Sequence, residues 1–208
     1  MIPGLIAPGA ESPLADLVAA PVDGLRVLGL DLSLTSTGVA LPDGTTYRIK
    51  TRQKDGDHRL RVIRNDLREV LAQHRPHLAV VEDLPRHAKG AGITAKVHGI
   101  VVGELLDADV PYAYVVPATL KKYATDNGNA DKRRMADAAY LAAGAEFPGD
   151  LNARGEGGDM CDAWWLRAAG HDALGAPLFD MPQAQRDRLL KVDWPTNLRQ
   201  RYVMGAAS

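Results

Sequence analysis

Four carboxylates in this 208-residue chain stand where an apolar run stops or a helix begins: Asp31, Glu82, Asp159 and Asp162. A carboxylate at the end of a buried strand is costly unless it is solvated, hydrogen-bonded or bound to a cation. All-oxygen carboxylate sets suit Mg2+ or Mn2+ rather than Zn2+. Two such ions about 3.5–4 Å apart can activate a water and stabilise the leaving oxygen of a phosphodiester. Lysines beside them would neutralise the phosphates and the developing charge. Each acid also has a plainer explanation. Asp31 could cap its own turn through Ser33 or Thr35. Glu82 and Asp83 could be solvated acids at a strand exit. Asp159 could be a helix N-cap, which accounts for one aspartate and leaves Asp162 over.

The elements that must position these acids are legible in order. Leu25–Leu32 reads as a buried strand, Thr37–Leu41 as a second and Thr45–Thr51 as a third. Asp43-Gly44 is a hairpin dipeptide, so the three form an antiparallel meander. Leu60, Val62, Ile63, Leu67, Val70 and Leu71 recur at helical spacing, and this helix ends before Pro76. His77–Asp83 is a short continuous apolar run ending in acid; such strands have a parallel neighbour and helices on both sides. Two parallel strands would bring Asp31 and Glu82 to the same sheet edge, where ligands of open α/β sheets bind. Two like charges there would repel without a cation between them.

Beyond the second acid, residues 84–92 form a basic, glycine-containing loop, followed by a helix over 93–106. Gly99 and Gly103 on that helix fit either a close helix–helix contact, such as a dimer contact, or a glycine pair inside the core. Tyr112–Val116 reads as another strand, and Pro117 opens a helix from a first-turn position. Residues 117–134 carry Lys121, Lys122, Lys132, Arg133 and Arg134 against Asp126 and Asp131. This excess fits a solvated helix face, and equally a surface for a polyanion backbone. A Gly- and Pro-containing loop over 147–158 leads to the helix of Asp159 and Asp162, three apart and so on one face.

Bulk properties bound the class. Net charge is -1 with 46% apolar and 25% charged residues, ordinary for a soluble globular protein, so any nucleic-acid surface must be local. The single cysteine, Cys161, excludes an internal disulfide or a cysteine zinc cluster and fits a reducing, cytoplasmic compartment. The six histidines show no paired metal-ligand spacing. No apolar stretch approaches a membrane span, and the first residues lack a signal-peptide pattern. Residues 1–24 read as an extension, partly helical around Leu14–Ala20; 25–172 as the main domain; and 173–208 as a C-terminal extension. That extension is either a basic arm or a packing segment using Leu189, Leu190 and Trp194.

The strand–meander–helix–strand order with this acid series resembles the RNase H-like superfamily. Within it, the chain resembles the RuvC Holliday junction resolvases, in the versions carried by bacteriophages of actinobacteria. Gly29-Leu30-Asp31 is similar to the family's first acidic motif, Val80-Val81-Glu82 to its second, and Asp159-x-x-Asp162-Ala163 to its terminal pair. Pro117–Lys122 and Ala130-Asp131-Lys132 lie where the family places its active-site lysines. The resemblance implies an α/β fold: a mixed five-stranded sheet, antiparallel meander plus parallel strands, flanked by helices. It implies a Mg2+-dependent endonuclease, with Mn2+ as the alternative ion, cutting four-way DNA junctions as a homodimer. Asp31, Glu82, Asp159 and Asp162 would be the metal ligands, with Lys121 and Lys132 completing the catalytic set. Arg86, Lys89, Lys122, Arg133 and Arg134 would join those lysines on DNA.

Two departures stand out. Leu32-Ser33 follows Asp31 where the family often has Pro-Gly, and Leu84-Pro85-Arg86-His87 lacks the aromatic wedge the family tends to put after its second acid. Two other functions share parts of the pattern. A nuclease of the same fold could act on flaps, forks or other branches. An actin-like ATPase or phosphotransferase has a first phosphate loop similar to residues 29–38, but here no second such loop follows a strand.

Overall fold

The computed structural model describes residues 24–84, 91–149, 156–196 and 198. Five strands form one sheet: β1 (Val27–Asp31), β2 (Ser36–Ala40), β3 (Thr46–Lys50), β4 (Leu78–Glu82) and β5 (Tyr112–Val115), in the order β3-β2-β1-β4-β5. β1, β2 and β3 make the expected antiparallel meander, while β4 lies parallel to β1 and β5 parallel to β4. The β2–β3 hairpin turns at Gly44, with φ +95°, and the Thr45 N–H donates to Asp43 Oδ1 at 2.8 Å.

Strand alternation sends side chains to two separate cores. Leu28, Leu30, Val39, Ile49, Ala79 and Val81 pack under α1 (His58–His74) and α2 (Ala91–Asp107). Val27, Leu78, Val80 and Val115 face α3 (Pro117–Thr125), α4 (Lys132–Ala143) and α5 (Glu156–Ala173). Trp165 is fully buried in this second layer, and its indole N–H donates to the Met135 carbonyl at 3.0 Å. Asp31 and Glu82 follow the same alternation as Val27 and Val80, so both belong to the α5 face.

α5 lies directly on β1 and β2 because two strand positions are glycine. A Cβ on Gly29 would sit 2.0 Å from the Ala163 carbonyl oxygen, and one on Gly38 would sit 2.1 Å from that of Asp159. Any side chain there would lift the helix and its aspartates off the sheet edge.

The core continues beyond residue 172. Leu189 and Leu198 are buried in the α5-side cluster, with Trp194 packed against it. The short α6 (Gln183–Arg186) leads into a 3-10 segment, Asp187–Lys191. Arg186 Nε donates to the buried Asp172 at 2.7 Å, and Gln185 donates to the Tyr123 carbonyl at 2.9 Å. The helix read around Leu14–Ala20 lies outside the described residues.

The outer side of α2 corrects one reading. No described atom lies within 4 Å of a Cβ built on Gly99 or Gly103, so these glycines are not a pair inside the core. They open on an exposed face that also carries Leu106.

Candidate active site

Asp31 ends β1 opposite Gly38, and the parallel register Leu30↔Val81 sets Glu82 level with it on β4. The turn after Asp31 closes without that carboxylate. The Ser33 N–H donates to Thr37 Oγ1 at 3.2 Å, the Thr37 hydroxyl returns to the Ser33 carbonyl at 2.6 Å, and the Thr35 N–H donates to Ser33 Oγ at 3.3 Å. The turn-cap explanation of Asp31 therefore fails. Asp31 instead shares a hydrogen bond with Glu82.

The helix-cap explanation of Asp159 fails as well. The sequence pattern reads as loop over 147–158, but α5 begins at Glu156, which puts Asp159 inside the helix. Its two carboxylate oxygens have other partners: Ser36 Oγ donates to Oδ2 and Lys132 Nζ to Oδ1, each at 2.6 Å. Gly158 makes the lysine contact possible, because a Cβ there would lie 2.1 Å from Lys132 Cδ. Asp162 comes one turn later on the same face.

The four acids lie close enough for their charges to act on one another. Burial raises Asp31 well above the ordinary carboxylate range, and the charges of Glu82, Asp162 and Asp159 raise it further. Burial and the Asp162 charge push Glu82 up to about 7, while the Asp31 hydrogen bond, Lys121 and Lys132 oppose the shift. Burial pushes Asp162 up to about 6 against the pull of Lys132 and Lys121, with Asp159 adding repulsion. Burial and mutual repulsion thus favour a proton on the Asp31–Glu82 pair over two adjacent negative charges. Burial acts to lower Lys132, but the Asp159 hydrogen bond and the surrounding carboxylates outweigh it and leave its ammonium raised.

Lys121 and Lys132 therefore meet the acids. Lys122 is exposed and lies against Gly128 instead, and Arg133 and Arg134 are exposed on the first turn of α4. Arg86 and Lys89 lie outside the described residues, as does His87. Asp83 turns back on its own loop, accepting from the Leu84 N–H at 2.8 Å. Sequence reasoning missed Ser36 and Arg48. Arg48 Nη1 donates to Ser36 Oγ at 3.2 Å, so the hydroxyl is held between the guanidinium and Asp159. The available signal was register: Ser36 lies two residues before Gly38, the partner of Asp31, on the same strand face.

Among the described residues no three such side chains close into a ready-made ligand cage: Asp159 is turned to Ser36 and Lys132, and Asp31 to Glu82. The donor chemistry nonetheless fits a hard divalent cation. Asp31, Glu82 and Asp162, all with raised proton affinity, crowd one pocket with Asp159, and a cation there would relieve their repulsion.

Known proteins share both the sequence and the fold. Residues 23–140 match the model of the family "Crossover junction endodeoxyribonuclease RuvC". The RuvC of Rhodopirellula baltica is 29% identical over 174 residues, spanning 78% of this chain and 94% of that protein. The RuvC of Gloeobacter violaceus is 30% identical over 132 residues, spanning 58% and 76%. The solved structure of Thermus thermophilus RuvC covers 73% of this chain and 98% of its own, with a TM-score of 0.58 at 21% identity. The same protein in complex with Holliday junction substrate gives 0.59. The RNase H-like fold expected from the acid series is therefore the fold of this chain. With more than half its length matching the family, the chain belongs to the RuvC crossover junction endodeoxyribonucleases.

Proposed function

We propose that this protein hydrolyses phosphodiesters at four-way DNA junctions, using Asp31, Glu82, Asp159 and Asp162 to hold divalent metal, Mg2+ or Mn2+. The observation that carries this reading is the meeting of four acids from β1, β4 and α5 beside Lys121 and Lys132 at one sheet edge. Bound metal would lower the pKa of an attacking water and offset charge on the leaving oxygen. The chain's own residues do the rest. Asp31 and Glu82 would ligate as carboxylates, with any proton held between them released to solvent. Ser36 and Lys132 fix Asp159 in one rotamer before substrate arrives. Lys121 and Lys132 carry the positive charge that a phosphate needs on entering this acidic pocket. Lys122, Arg133 and Arg134, exposed nearby, together with Arg86 and Lys89, extend the phosphate-binding surface.

The protein acts as a homodimer through the open face of α2, where Leu106 is exposed and Gly99 and Gly103 allow close helix approach. Work on DNA places it in the cytoplasm of a bacterium or infected host; no described helix is long and apolar enough to cross a membrane. The assignment to the bacteriophage versions of the family rests on the sequence resemblance of the acidic motifs at Asp31, Glu82 and Asp159/Asp162.

The test is strand cleavage of a mobile four-way junction, a fork, a flap and plain duplex with Mg2+, by wild type and Asp31→Asn. Symmetric nicks in the junction alone, lost in the variant, are the expected result. Equal cutting of fork and junction would move the reading to a general branch nuclease, and cutting that survives Asp31→Asn would end it.

A further inference from the structure

A groove of about 900 Å3 lies where the end of β3, the 3-10 turn Gln53–Asp55 and the first turn of α1 meet. Lys50, Arg52, Lys54, Arg59 and Arg61 line it, and the one acid in its wall is Asp55, which Arg52 approaches at 3.3 Å. Five cations against one carboxylate is an excess of four in a chain whose net charge is -1. Lys50, Arg52, Lys54 and Arg61 are exposed. Holding these charges together costs self-repulsion that an anionic ligand would relieve.

The groove is joined to the carboxylate site through the β2–β3 ladder. Lys50 pairs with Ser36, the residue whose hydroxyl holds Asp159. Next to it, the Thr51 N–H donates to the Thr35 carbonyl at 3.0 Å, and the Thr51 hydroxyl bonds the Leu34 carbonyl. The wall of the groove and the edge that carries the acids are therefore one hydrogen-bonded unit. A chain of phosphates leaving the acidic pocket over β2 and β3 would run straight onto the cations.

We propose that this groove binds the phosphate backbone of a duplex arm of the DNA substrate, on the side of the active site away from α3 and α4. The proposal rests on the nuclease reading for the identity of its ligand. An open, solvated row of Lys and Arg suits a sequence-independent backbone contact, which positions a duplex without reading its bases. Arg59 is half-buried and its Nε donates to the Gly56 carbonyl at 2.8 Å, so it shapes the wall, while the exposed cations meet the DNA.

The experiment measures junction binding by full-length protein without cleavage, in Ca2+, across a series of salt concentrations. Wild type is compared with Arg52→Ala/Lys54→Ala/Arg61→Ala and with Arg52→Lys/Arg61→Lys. Each lost phosphate contact lowers the salt slope by about 0.9, so the triple variant should show a slope smaller by about 2–3 and binding at least about tenfold weaker on a long-armed junction. The lysine variant keeps the charges and should retain the wild-type slope. On a junction whose arms are cut back to the crossover, wild type and triple variant should bind alike. An unchanged slope on long arms, or an equal loss on both substrates, would overturn the proposal, as would a wild type that binds no junction. Wild-type cleavage in Mg2+, assayed in parallel, separates the two readings: cleavage with an unchanged slope sinks the groove alone, whereas a lowered slope without cleavage sinks the nuclease alone.

Discussion

Lys132 Nζ reaches Asp159 Oδ1 at 2.6 Å by crossing the first turn of α5 where Gly158 leaves the space. Glycine inside a helix costs about 1 kcal/mol relative to alanine, so its presence calls for a reason, and the lysine stem supplies one. Gly158→Ala would put a methyl 2.1 Å from Lys132 Cδ. The lysine is a flexible chain and would move, breaking its ion pair, while the helix itself gains propensity. Junction cleavage should fall by at least about tenfold, the worth of one charged hydrogen bond, with the melting temperature unchanged or slightly raised. Calorimetry alongside a cleavage assay checks both; a parallel loss of stability would count against the lysine as the cause.

Ser36 is a positioning residue for Asp159. Its hydroxyl donates to Oδ2 at 2.6 Å and accepts from Arg48 at 3.2 Å. Hydrogen bonds to charged groups are worth about 1.5–3 kcal/mol, so Ser36→Ala should slow cleavage by about 10- to 100-fold. Ser36→Thr keeps the hydroxyl and should recover most of the rate. A variant whose KM rises while kcat holds would show that Ser36 serves DNA binding instead.

The sequence carried the scaffold well, because strand length, the Asp-Gly hairpin and the 3.6-residue period of α1 are all local signals. It also brought out Asp31 and Glu82, each ending an apolar run. What it hid depends on register between distant segments. Ser36 looks like one of several small turn residues until β2 pairs with β1. Asp159 looks like a cap until α5 is seen to start earlier, at Glu156. The cations from Lys50 to Arg61 are spread over a strand end, a turn and a helix start, so no single element shows a basic face.

The C-terminal segment is tied to the core through one buried carboxylate. Asp172 accepts from Arg186 Nε at 2.7 Å and from the Tyr123 hydroxyl at 3.1 Å. Burial raises its pKa, and Arg186 opposes that shift. Arg186→Ala would leave a buried charge with only the tyrosine as partner and should cost about 3 kcal/mol in denaturant unfolding. Adding Asp172→Asn removes the stranded charge and should restore most of the loss. A single variant as stable as wild type would mean that this ion pair does not anchor the segment.

Asp31, Glu82 and Asp162 also predict how stability should depend on pH and metal. Glu82 is pushed up to about 7, Asp162 to about 6, and Asp31 is raised as well, whereas unfolded carboxylates titrate near about 4. Between those limits the folded protein holds protons that the unfolded chain has lost. The contribution of these carboxylates to the stability of the metal-free protein should therefore fall as pH rises from about 4 to about 7, since the slope follows the protons bound by the unfolded minus the folded state. Asp31→Asn removes the most strongly opposed charge, so it should flatten this decline and melt above wild type at pH 8 without metal. Mg2+ binds the ionised form, so it should raise the wild-type melting temperature more at pH 8 than at pH 5, and raise that of Asp31→Asn less. The same variant should lose at least about a hundredfold in cleavage, the scale of a lost electrostatic contact at the reacting centre. Thermal melts at the two pH values with and without Mg2+ decide the matter. Because the buried His171, pushed down to about 4, gives an opposing slope in both proteins, the comparison between them is what counts: a pH dependence identical in wild type and Asp31→Asn would show that Asp31 does not share a pocket with the other carboxylates.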